Sequence, residues 1–300
     1  MRIVFLGNHT VGVRALEALL QKDEVVGVVA HPPDPEDGIR YLSVYDFSRR
    51  RGLHAVRKNG RDPGLEEFVR DCRPDLLWIT DYRYLLPQGV LTVAPLGVVN
   101  LHPSLLPAYR GRAPINWAIL HGERELGLTV HFVDEGMDTG DIIEQVPFFL
   151  SENQDVGDAL CILYPLYGEI TRRVIAHFRK GKVPRRPQDH RRATVFPRRT
   201  PEDGLIQWEQ RAERIRDLVR AVAPPYPGAF SFCHGRKIRI LSAAVRSEEG
   251  VHGEPGSILS LDSTGPVVCA GTGTVWIRKF EWEPADPPGR LNPGDRMENR

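Results

Sequence analysis

The sequence has 300 residues, of which 41% are hydrophobic and 26% charged, and its 40 lysines and arginines nearly balance its 39 aspartates and glutamates. This composition is typical of a folded chain with one large domain or two modest ones. A formal net charge of +1 argues against a dedicated nucleic-acid-binding protein, because such proteins carry a clear basic excess. No stretch approaches the roughly 20 apolar residues that cross a bilayer.

The N-terminal residues and the cysteines indicate the cellular compartment. The first residues, MRIVFLGNHT, lack the charged, apolar and small-residue regions of a signal peptide and predict a strand instead. The four cysteines are widely spaced and form no C-x-x-C motif: Cys72, Cys161, Cys233 and Cys269. That pattern favours a reduced protein over a disulfide framework or a zinc site. We therefore expect a cytoplasmic protein that does not bind a membrane and holds no metal.

Residues 1–182 alternate short apolar strands with helical stretches. Strands are predicted at Arg2–Leu6, Glu24–Ala30, Leu76–Thr80, Val98–Leu101 and Leu128–Val133, and helices at Val11–Leu20, at Leu65–Cys72 and from Asp155 to about Gly181. This alternation predicts an α/β domain built on a mostly parallel sheet. Such sheets bind ligands in the crevice beyond the carboxyl ends of their strands.

The remainder of the chain changes character twice. Residues 183–200 are rich in proline and arginine and have no apolar periodicity, so they predict a solvated linker. Residues 201–300 then contain a predicted helix at Arg211–Val222, followed by short strands at 237–245, 256–262, 266–270 and 274–280. Short strands at regular spacing, with turn residues between them, predict a small β-barrel domain.

The turn after the first predicted strand bears on cofactor use. Residues 7–12, GNHTVG, contain two glycines but not the G-x-G-x-x-G spacing. Without that spacing the backbone cannot approach a pyrophosphate in the usual way, so a dinucleotide cofactor is disfavoured. The two glycines are instead expected to permit a tight turn.

A carboxamide and an imidazole stand two residues apart at the end of a predicted strand. Asn100 and His102 are expected to point to the same side, because side chains alternate along a strand, and Pro103 then ends the ladder. Acyl transfer needs such a pair, one group for the oxyanion and one for a proton. On these two residues alone, a purely structural role stays open.

An acidic cluster, DEGMDTGD at residues 134–141, follows the strand that contains His131. Its glycines allow a sharp turn that can aim a carboxylate at the neighbouring strand end. The spacing does not match an EF-hand calcium loop, and an exposed acidic turn remains the alternative. His131, inside an apolar strand, is interpreted as a core residue.

These segments together resemble the folate-dependent formyltransferase family. The matching text is NLHPSLLP at 100–107, YRGR at 109–112, GLTVH at 127–131 and DTGDII at 138–143, with RTPEDGLIQW at 199–208, VRAVAPPYPGAF at 219–230 and LNPGDRM at 291–297. The resemblance extends over nearly the whole chain. It implies a Rossmann-like N-terminal domain and an OB-like C-terminal barrel.

The resemblance also implies a reaction and its residues. The donor would be N10-formyltetrahydrofolate, and Asn100, His102 and Asp138 match the catalytic residues of the family. The positions that match the folate contacts are Tyr84, Leu85, Leu86, Arg112, Asp134, Glu135, Gly136 and Met137. Since the pterin is read largely by backbone groups, the side chains at 84–86 carry little information.

Three features favour an amino-sugar nucleotide as the acceptor. The run RAPINW at 112–117 resembles the domain that formylates amino-sugar nucleotides, and so does DYRYLLP at 81–87. Residues 32–40, PPDPEDGIR, are acidic where tRNA enzymes carry a basic insertion, which is the wrong sign for a phosphate backbone. One position departs from this resemblance: the residue before Tyr109 is Ala108, whereas the amino-sugar enzymes and the tRNA enzymes often have a basic residue there.

Other acceptors and assemblies stay open. A methionyl-tRNA formyltransferase would use the basic segment 179–199 and the barrel to hold tRNA. A formyltetrahydrofolate hydrolase would use water, although such enzymes usually carry an additional N-terminal domain. Formylation of another small amine and a folate-binding module without catalysis are the further alternatives. The sequence leaves the oligomeric state undecided, with a homodimer as one alternative.

Overall fold

The structure is a computed structural model, and it describes residues 1–32, 41–246, 253–263, 265–284 and 289–299. Residues 33–40, which contain most of the acidic segment discussed above, lie outside the described residues. None of the helices in the described part of the chain combines the length and the apolar composition that crossing a bilayer requires.

The helices and strands alternate along the first two thirds of the chain. The strands up to residue 196 are β1 (Arg2–Gly7), β2 (Glu24–Ala30), β3 (Ala55–Arg57), β4 (Leu76–Thr80), β5 (Val98–His102), β6 (Arg110–Gly111), β7 (Glu125–Phe132), β8 (Ile142–Phe149) and β9 (Val195–Phe196). The helices are α1 (His9–Leu19), α2 (Val44–Arg50), α3 (Gly64–Asp71), α4 (Gln88–Leu91), α5 (Pro114–Leu120) and α6 (Val156–Arg179), with a 3-10 turn at His190–Arg192.

Seven of these strands form one sheet in the order β3-β2-β1-β4-β5-β7-β8. The pairs from β3 through β5 are parallel, and β7 runs antiparallel to β5. β4 is buried along its whole length, as expected for a parallel strand that is covered on both faces. The predicted α/β class with a mostly parallel sheet is therefore confirmed, and the carboxyl ends of β1, β4 and β5 meet at one edge.

The C-terminal part of the chain builds a separate antiparallel sheet. Its elements are a 3-10 turn at Pro201–Gly204, α7 (Ala212–Ala221), β10 (Ala229–Cys233), β11 (Arg236–Arg246), β12 (Ile258–Leu261), β13 (Pro266–Cys269) and β14 (Thr274–Glu283). The strand order is β10-β11-β14-β13-β12. Among the described residues, no pairing joins the edge strands β10 and β12. The predicted small barrel is therefore not confirmed, and the structure shows an antiparallel sheet at that place.

The chain divides into two compact units, and each unit is built from three separate stretches of the sequence. Residues 1–114, 125–148 and 160–196 form the first unit, and residues 115–124, 149–159 and 197–300 form the second. Residues 115–120 of α5 belong to the second unit, where the Asn116 side chain donates to the carbonyl of Ala221 at 2.7 Å. Most of the predicted linker, 183–200, lies within the first unit because β9 pairs in parallel with β6.

Candidate active site

Asn100 and His102 lie on β5 at the edge of the sheet, and a single carboxylate lies beside both. Asn100 Nδ2 is 3.3 Å from Asp138 Oδ1, and His102 Nδ1 is 3.7 Å from Asp138 Oδ2. Strand alternation explains the common direction of the first two side chains, since β5 continues to His102 before Pro103. The structure therefore brings the three predicted catalytic side chains together.

A sharp turn after β7 delivers the carboxylate of Asp138. Asp138 itself has a φ of +53°, a left-handed conformation that costs a non-glycine residue about 1–2 kcal/mol. Gly140 is required by space, because a Cβ there would meet the carbonyl oxygen of Phe132 at 1.9 Å. The backbone N–H of Gly111 donates to Asp138 Oδ2 at 2.9 Å, which fixes the carboxylate against β6.

The hydrogen bonds of His102 define which of its nitrogens is free. His102 Nε2 lies 2.8 Å from the carbonyl oxygen of Tyr109, and because a carbonyl only accepts, Nε2 carries the hydrogen. Nδ1 is then the nitrogen that faces Asp138. Burial lowers the pKa of His102 below its ordinary value, although Asp138 and the bond to Tyr109 act in the opposite direction. The imidazole is therefore neutral at pH 7, with its lone pair on Nδ1.

Asp138 is held in its ionised form. Burial alone would raise the pKa of Asp138, but its interactions with the imidazoles of His102 and His131 and the hydrogen bond from the Gly111 N–H outweigh burial and hold that pKa well below its usual range. Only 14% of the side chain is exposed. A fixed negative charge next to a neutral imidazole favours the step in which the imidazole gains a proton.

His131 is a site residue that the sequence interpretation placed in the core. It is 2% exposed, so the burial is correct, but its Nε2 lies 3.3 Å from Asn100 Nδ2 and 3.5 Å from Asp138 Oδ1. Its Nδ1 is 2.7 Å from the carbonyl oxygen of Phe132, which leaves Nε2 as an acceptor in the neutral ring. Asn100 lies opposite His131 where β5 pairs with β7, so a prediction of that register would have placed His131 in the site.

The predicted folate-contacting residues fall into two segments. In the first, Tyr84 and Leu86 pack against the apolar core of the first unit, whereas the side chain of Leu85 is 79% exposed. Arg112 reaches this segment by donating from Nη1 to the carbonyl of Arg83 at 3.2 Å.

The second segment is the turn that precedes Asp138. Its residues Asp134, Glu135, Gly136 and Met137 are all exposed. Asp134 closes the turn by accepting from the Gly136 N–H at 3.1 Å and from the Thr139 hydroxyl. Met137 is 48% exposed, and its sulfur lies 3.4 Å from the position that a Cβ on Gly111 would take. Both segments thus offer one exposed apolar side chain, Leu85 and Met137.

A buried glutamine supports the turn from the other side, and no sequence signal identified it. Gln188 is 6% exposed and contacts the backbone of the Asp138 turn and the guanidinium of Arg110. It comes from the proline- and arginine-rich segment that predicts a linker. Its partners lie far away in sequence, so neither periodicity nor a motif could have placed it.

Within the described residues, one group offers three potential metal ligands. Cys233, His234 and Asp295 of the second unit have ligand atoms within 4.8 Å of one another. His234 Nε2 lies 3.1 Å from Asp295 Oδ2, which also accepts the backbone N–H of Asn292 at 2.7 Å. Asp295 therefore pairs with both His234 and the backbone of Asn292 in this turn.

Comparisons with known proteins assign the family. A profile described as formyl transferase matches residues 1–159, and one described as formyl transferase, C-terminal domain, matches residues 198–287. The methionyl-tRNA formyltransferase of Acetivibrio thermocellus is 35% identical over 288 residues, covering 94% of this chain and 92% of that protein. The methionyl-tRNA formyltransferase of Chloroflexus aurantiacus is 36% identical over 291 residues, covering 95% of this chain and 93% of the relative.

A solved structure shows the same fold at lower identity. It is an N-formyltransferase from Helicobacter canadensis in complex with folinic acid and dTDP-3-aminofucose, with a TM-score of 0.74 and 19% identity. The match covers 92% of this chain and 98% of that one. With both domain profiles matched and relatives above 30% identity along almost the full length, this chain belongs to the formyl transferase family.

Proposed function

We propose that this formyltransferase moves the formyl group of N10-formyltetrahydrofolate to the primary amine of an amino-sugar nucleotide. The observation that carries the chemistry is the convergence of Asn100, His102 and Asp138 at the end of β5. Their arrangement offers an amide donor, a neutral imidazole and a fixed negative charge around one point. Those are the groups that amine attack on a formyl carbon requires.

Asn100 stabilises the oxygen of the formyl group as negative charge builds on it. Its two amide hydrogens are directed at Asp138 and His131, each at 3.3 Å. Both contacts are longer than a typical hydrogen bond, and such contacts commonly tighten or exchange when substrate binds. Removing one oxyanion donor typically costs about 3–4 kcal/mol of transition-state stabilisation.

His102 accepts the proton that the amine loses. Its Nδ1 carries the free lone pair, because Nε2–H is bound to the carbonyl of Tyr109, and its lowered pKa keeps it neutral before reaction. The carboxylate of Asp138, 3.7 Å from Nδ1, then stabilises the imidazolium that forms. His102 returns the proton to the nitrogen that leaves the formyl carbon.

The residues fit a folate at this place. The donor supplies the formyl carbon when it is bound, and its flat ring system needs apolar faces and backbone hydrogen-bonding groups. Leu85 and Met137 are large apolar side chains that stand exposed, at 79% and 48%, and they offer apolar surface for that ring system. Arg112 contacts the first segment through the carbonyl of Arg83 and is proposed to anchor the donor.

The proposal of an amino-sugar acceptor rests on the charge of the chain and on one sequence motif. The chain has a net charge of only +1, and residues 34–37, DPED, are acidic, whereas a tRNA backbone demands a basic surface. The run RAPINW at 112–117 resembles the domain that acts on amino-sugar nucleotides. With this proposal we retain a cytoplasmic location, an OB-like closure of the C-terminal sheet and a homodimer as expectations from the resemblance.

Methionyl-tRNA is the second candidate acceptor. The observation that favours it is the 32–36% identity to methionyl-tRNA formyltransferases along at least 94% of this chain. The arginines of the segment 185–199, several of them exposed, would then contact tRNA phosphates. Such contacts make binding fall steeply as salt rises.

One assay separates the acceptors. The enzyme and N10-formyltetrahydrofolate are incubated with thymidine- and uridine-diphosphate 3-amino and 4-amino sugars or with charged initiator tRNA, and formylated product is measured by mass spectrometry. We expect one sugar nucleotide to be formylated and the tRNA to remain unchanged. Formylation of the tRNA alone would establish the second candidate. Release of formate without either product would identify a hydrolase and overturn both.

A further inference from the structure

The segment that predicts a linker runs along the turn that presents Asp138. Ile142 and Arg186 exchange two backbone hydrogen bonds, at 2.8 and 3.0 Å. Farther along, the Arg110 N–H donates to the carbonyl of Thr194 at 2.9 Å. Between these two anchors, the chain directs the side chain of Gln188 inward.

The primary amide of Gln188 uses all of its hydrogen-bonding capacity toward the site. Its Nε2 donates to the carbonyl of Asp138 at 2.9 Å and to the carbonyl of Gly140 at 2.7 Å. Its Oε1 accepts from Arg110, at 2.6 Å from Nη2 and 3.3 Å from Nε. With the side chain only 6% exposed, water cannot replace these bonds freely.

The turn depends on contacts from outside its own residues, because the bonds that Asp134 accepts within it do not reach the backbone of Asp138. Asp138 has a left-handed backbone, with φ at +53°, and residues 134–137 before it are exposed. A strained conformation persists only where surrounding contacts determine it. The amide of Gln188 bonds the carbonyls of both Asp138 and Gly140, and so fixes the peptide units on which the carboxylate depends.

Arg110 determines which way the glutamine amide points. Arg110 is 5% exposed, and its guanidinium also lies 3.1 Å from Nδ1 of His190. Because a guanidinium only donates, it holds Oε1 of Gln188 and turns Nε2 toward the carbonyls of the turn. The next residue, Gly111, donates its N–H to Asp138 Oδ2 at 2.9 Å. The backbone and the carboxylate of Asp138 are therefore both fixed from the Arg110–Gly111 strand.

We propose that Gln188 is a positioning residue for formyl transfer, which holds the Asp138 turn so that the carboxylate faces His102 and Asn100. The inference rests on the proposed function, because the effect is read at the same catalytic residues. Gln188 does not touch the reacting atoms and acts only through Asp138. Misplacement of a catalytic group by about 1 Å can cost ~100-fold in rate.

The first test is Gln188→Glu, which keeps the size of the side chain and an acceptor for Arg110 but removes both N–H donors. We expect kcat to fall ~10- to 100-fold, with the KM values for donor and acceptor changed less than about threefold. Gln145→Glu is the matched control. Gln145 also donates to a backbone carbonyl, that of Leu106 at 2.9 Å, and to the Thr129 hydroxyl, and it accepts from Arg186, so its hydrogen bonds go to residues outside the Asp138 turn.

A second readout does not depend on turnover. The imidazole of His102 is titrated by NMR in the wild type and in Gln188→Met, a neutral side chain of similar length. We expect the pKa of His102 to move further down, because Asp138 is the nearby charge that raises it. Gln145→Glu should leave the titration of His102 unchanged.

The outcomes distinguish this inference from the proposed function. An unchanged kcat in Gln188→Glu, or a fall equal to that of Gln145→Glu, overturns the positioning role while the reaction stands. An unchanged titration of His102 in Gln188→Met overturns it as well. If the wild type transfers no formyl group at all, the proposed function fails, and the titration alone then decides whether Gln188 positions Asp138.

Discussion

Each unit contains a pair of an acidic and a basic side chain, and the two pairs differ in their exposure to solvent. In the first unit, Asp138 lies beside His102 with side-chain exposures of 14% and 6%. On the sheet of the second unit, Arg239 lies 3.0 Å from Glu281 with exposures of 38% and 48%. Water screens the second pair, so it is worth about 0–1 kcal/mol. Burial makes the first pair sensitive to protonation and useful for chemistry.

The two pairs also differ in how the backbone holds them. Arg239 and Glu281 are direct cross-strand neighbours of β11 and β14, so regular pairing is enough to bring them together. Asp138 depends on a left-handed backbone, a glycine at 140 and the Gly111 N–H. The carboxylate proposed to be catalytic therefore needs several supporting contacts to hold its position, whereas the surface carboxylate needs only strand pairing, and the following predictions test that contrast.

His102→Ala should produce the largest change. It removes the group proposed to accept the amine proton, and general-base catalysis contributes roughly 100- to 10,000-fold. We expect kcat to fall by about 1,000-fold while the circular dichroism spectrum and the thermal midpoint show a folded protein. Full turnover in a pure preparation would mean that His102 is only a core residue.

Arg112→Ala should weaken donor binding more than chemistry. The guanidinium contacts the carbonyl of Arg83 and lies in the segment proposed to hold folate, and a hydrogen bond to a charged group contributes about 1.5–3 kcal/mol. Steady-state kinetics should show the donor KM rising ~10-fold or more, with a smaller change in kcat. An unchanged donor KM would place Arg112 outside the donor site.

The pH dependence of stability should report the buried imidazole. Burial lowers the pKa of His102 below its ordinary value of 6.5. As the pH falls below about 6.5, His102 is therefore protonated in the unfolded chain but stays neutral in the folded chain. The free energy of unfolding then decreases by at most ~1.4 kcal/mol per pH unit for this one proton. Denaturant titrations from pH 8 to 5 should show a shallower decrease for His102→Gln.

That comparison also cancels the other titrating groups. Burial lowers the pKa of His121 as well, and its contribution to the acid slope is the same in both proteins. The lowered pKa of Asp138 affects the free energy of unfolding only at lower pH. The ionised carboxylate stabilises the folded state at pH values above the ordinary carboxyl range, and this contribution is lost as the pH falls below that range. Identical slopes for wild type and His102→Gln would show that His102 titrates normally.

Arg239→Ala should produce the smallest change. The pair with Glu281 is exposed, and we expect the free energy of unfolding to change by less than about 1 kcal/mol and formyl transfer to stay at the wild-type rate. Chemical denaturation and the formylation assay measure both. A decrease of more than ~2 kcal/mol in the free energy of unfolding would mean that this surface pair stabilises the fold more than a pair screened by water is expected to.

The fold of the first unit could be predicted wherever its strands are buried on both faces. Arg2–Gly7 and Leu76–Thr80 are short apolar runs and were predicted within one residue. The helix Val44–Arg50 and the strand Ala55–Arg57 were missed, because they are short and mixed in polarity. In the second unit, β10 was missed because glycine and proline precede it, and local patterns do not decide whether a sheet closes.

The site could be predicted only in part. Period-two alternation placed Asn100 and His102 on one side of β5, while Asp138 came from the family resemblance together with the glycines of its turn. The burial of His131 was predicted correctly, but its contact with Asn100 depends on register. Gln188 escaped prediction because its contacts join positions about 50 residues apart, which no local pattern records.

The most direct test of the account is the rate of formyl transfer by Asp138→Asn. This substitution keeps the shape of the side chain and replaces the negative charge that faces His102 Nδ1 at 3.7 Å. We predict that kcat falls at least ~100-fold, that both KM values stay within about threefold, and that the protein remains folded. A variant that transfers the formyl group at the wild-type rate would contradict the proposed role of the three converging side chains.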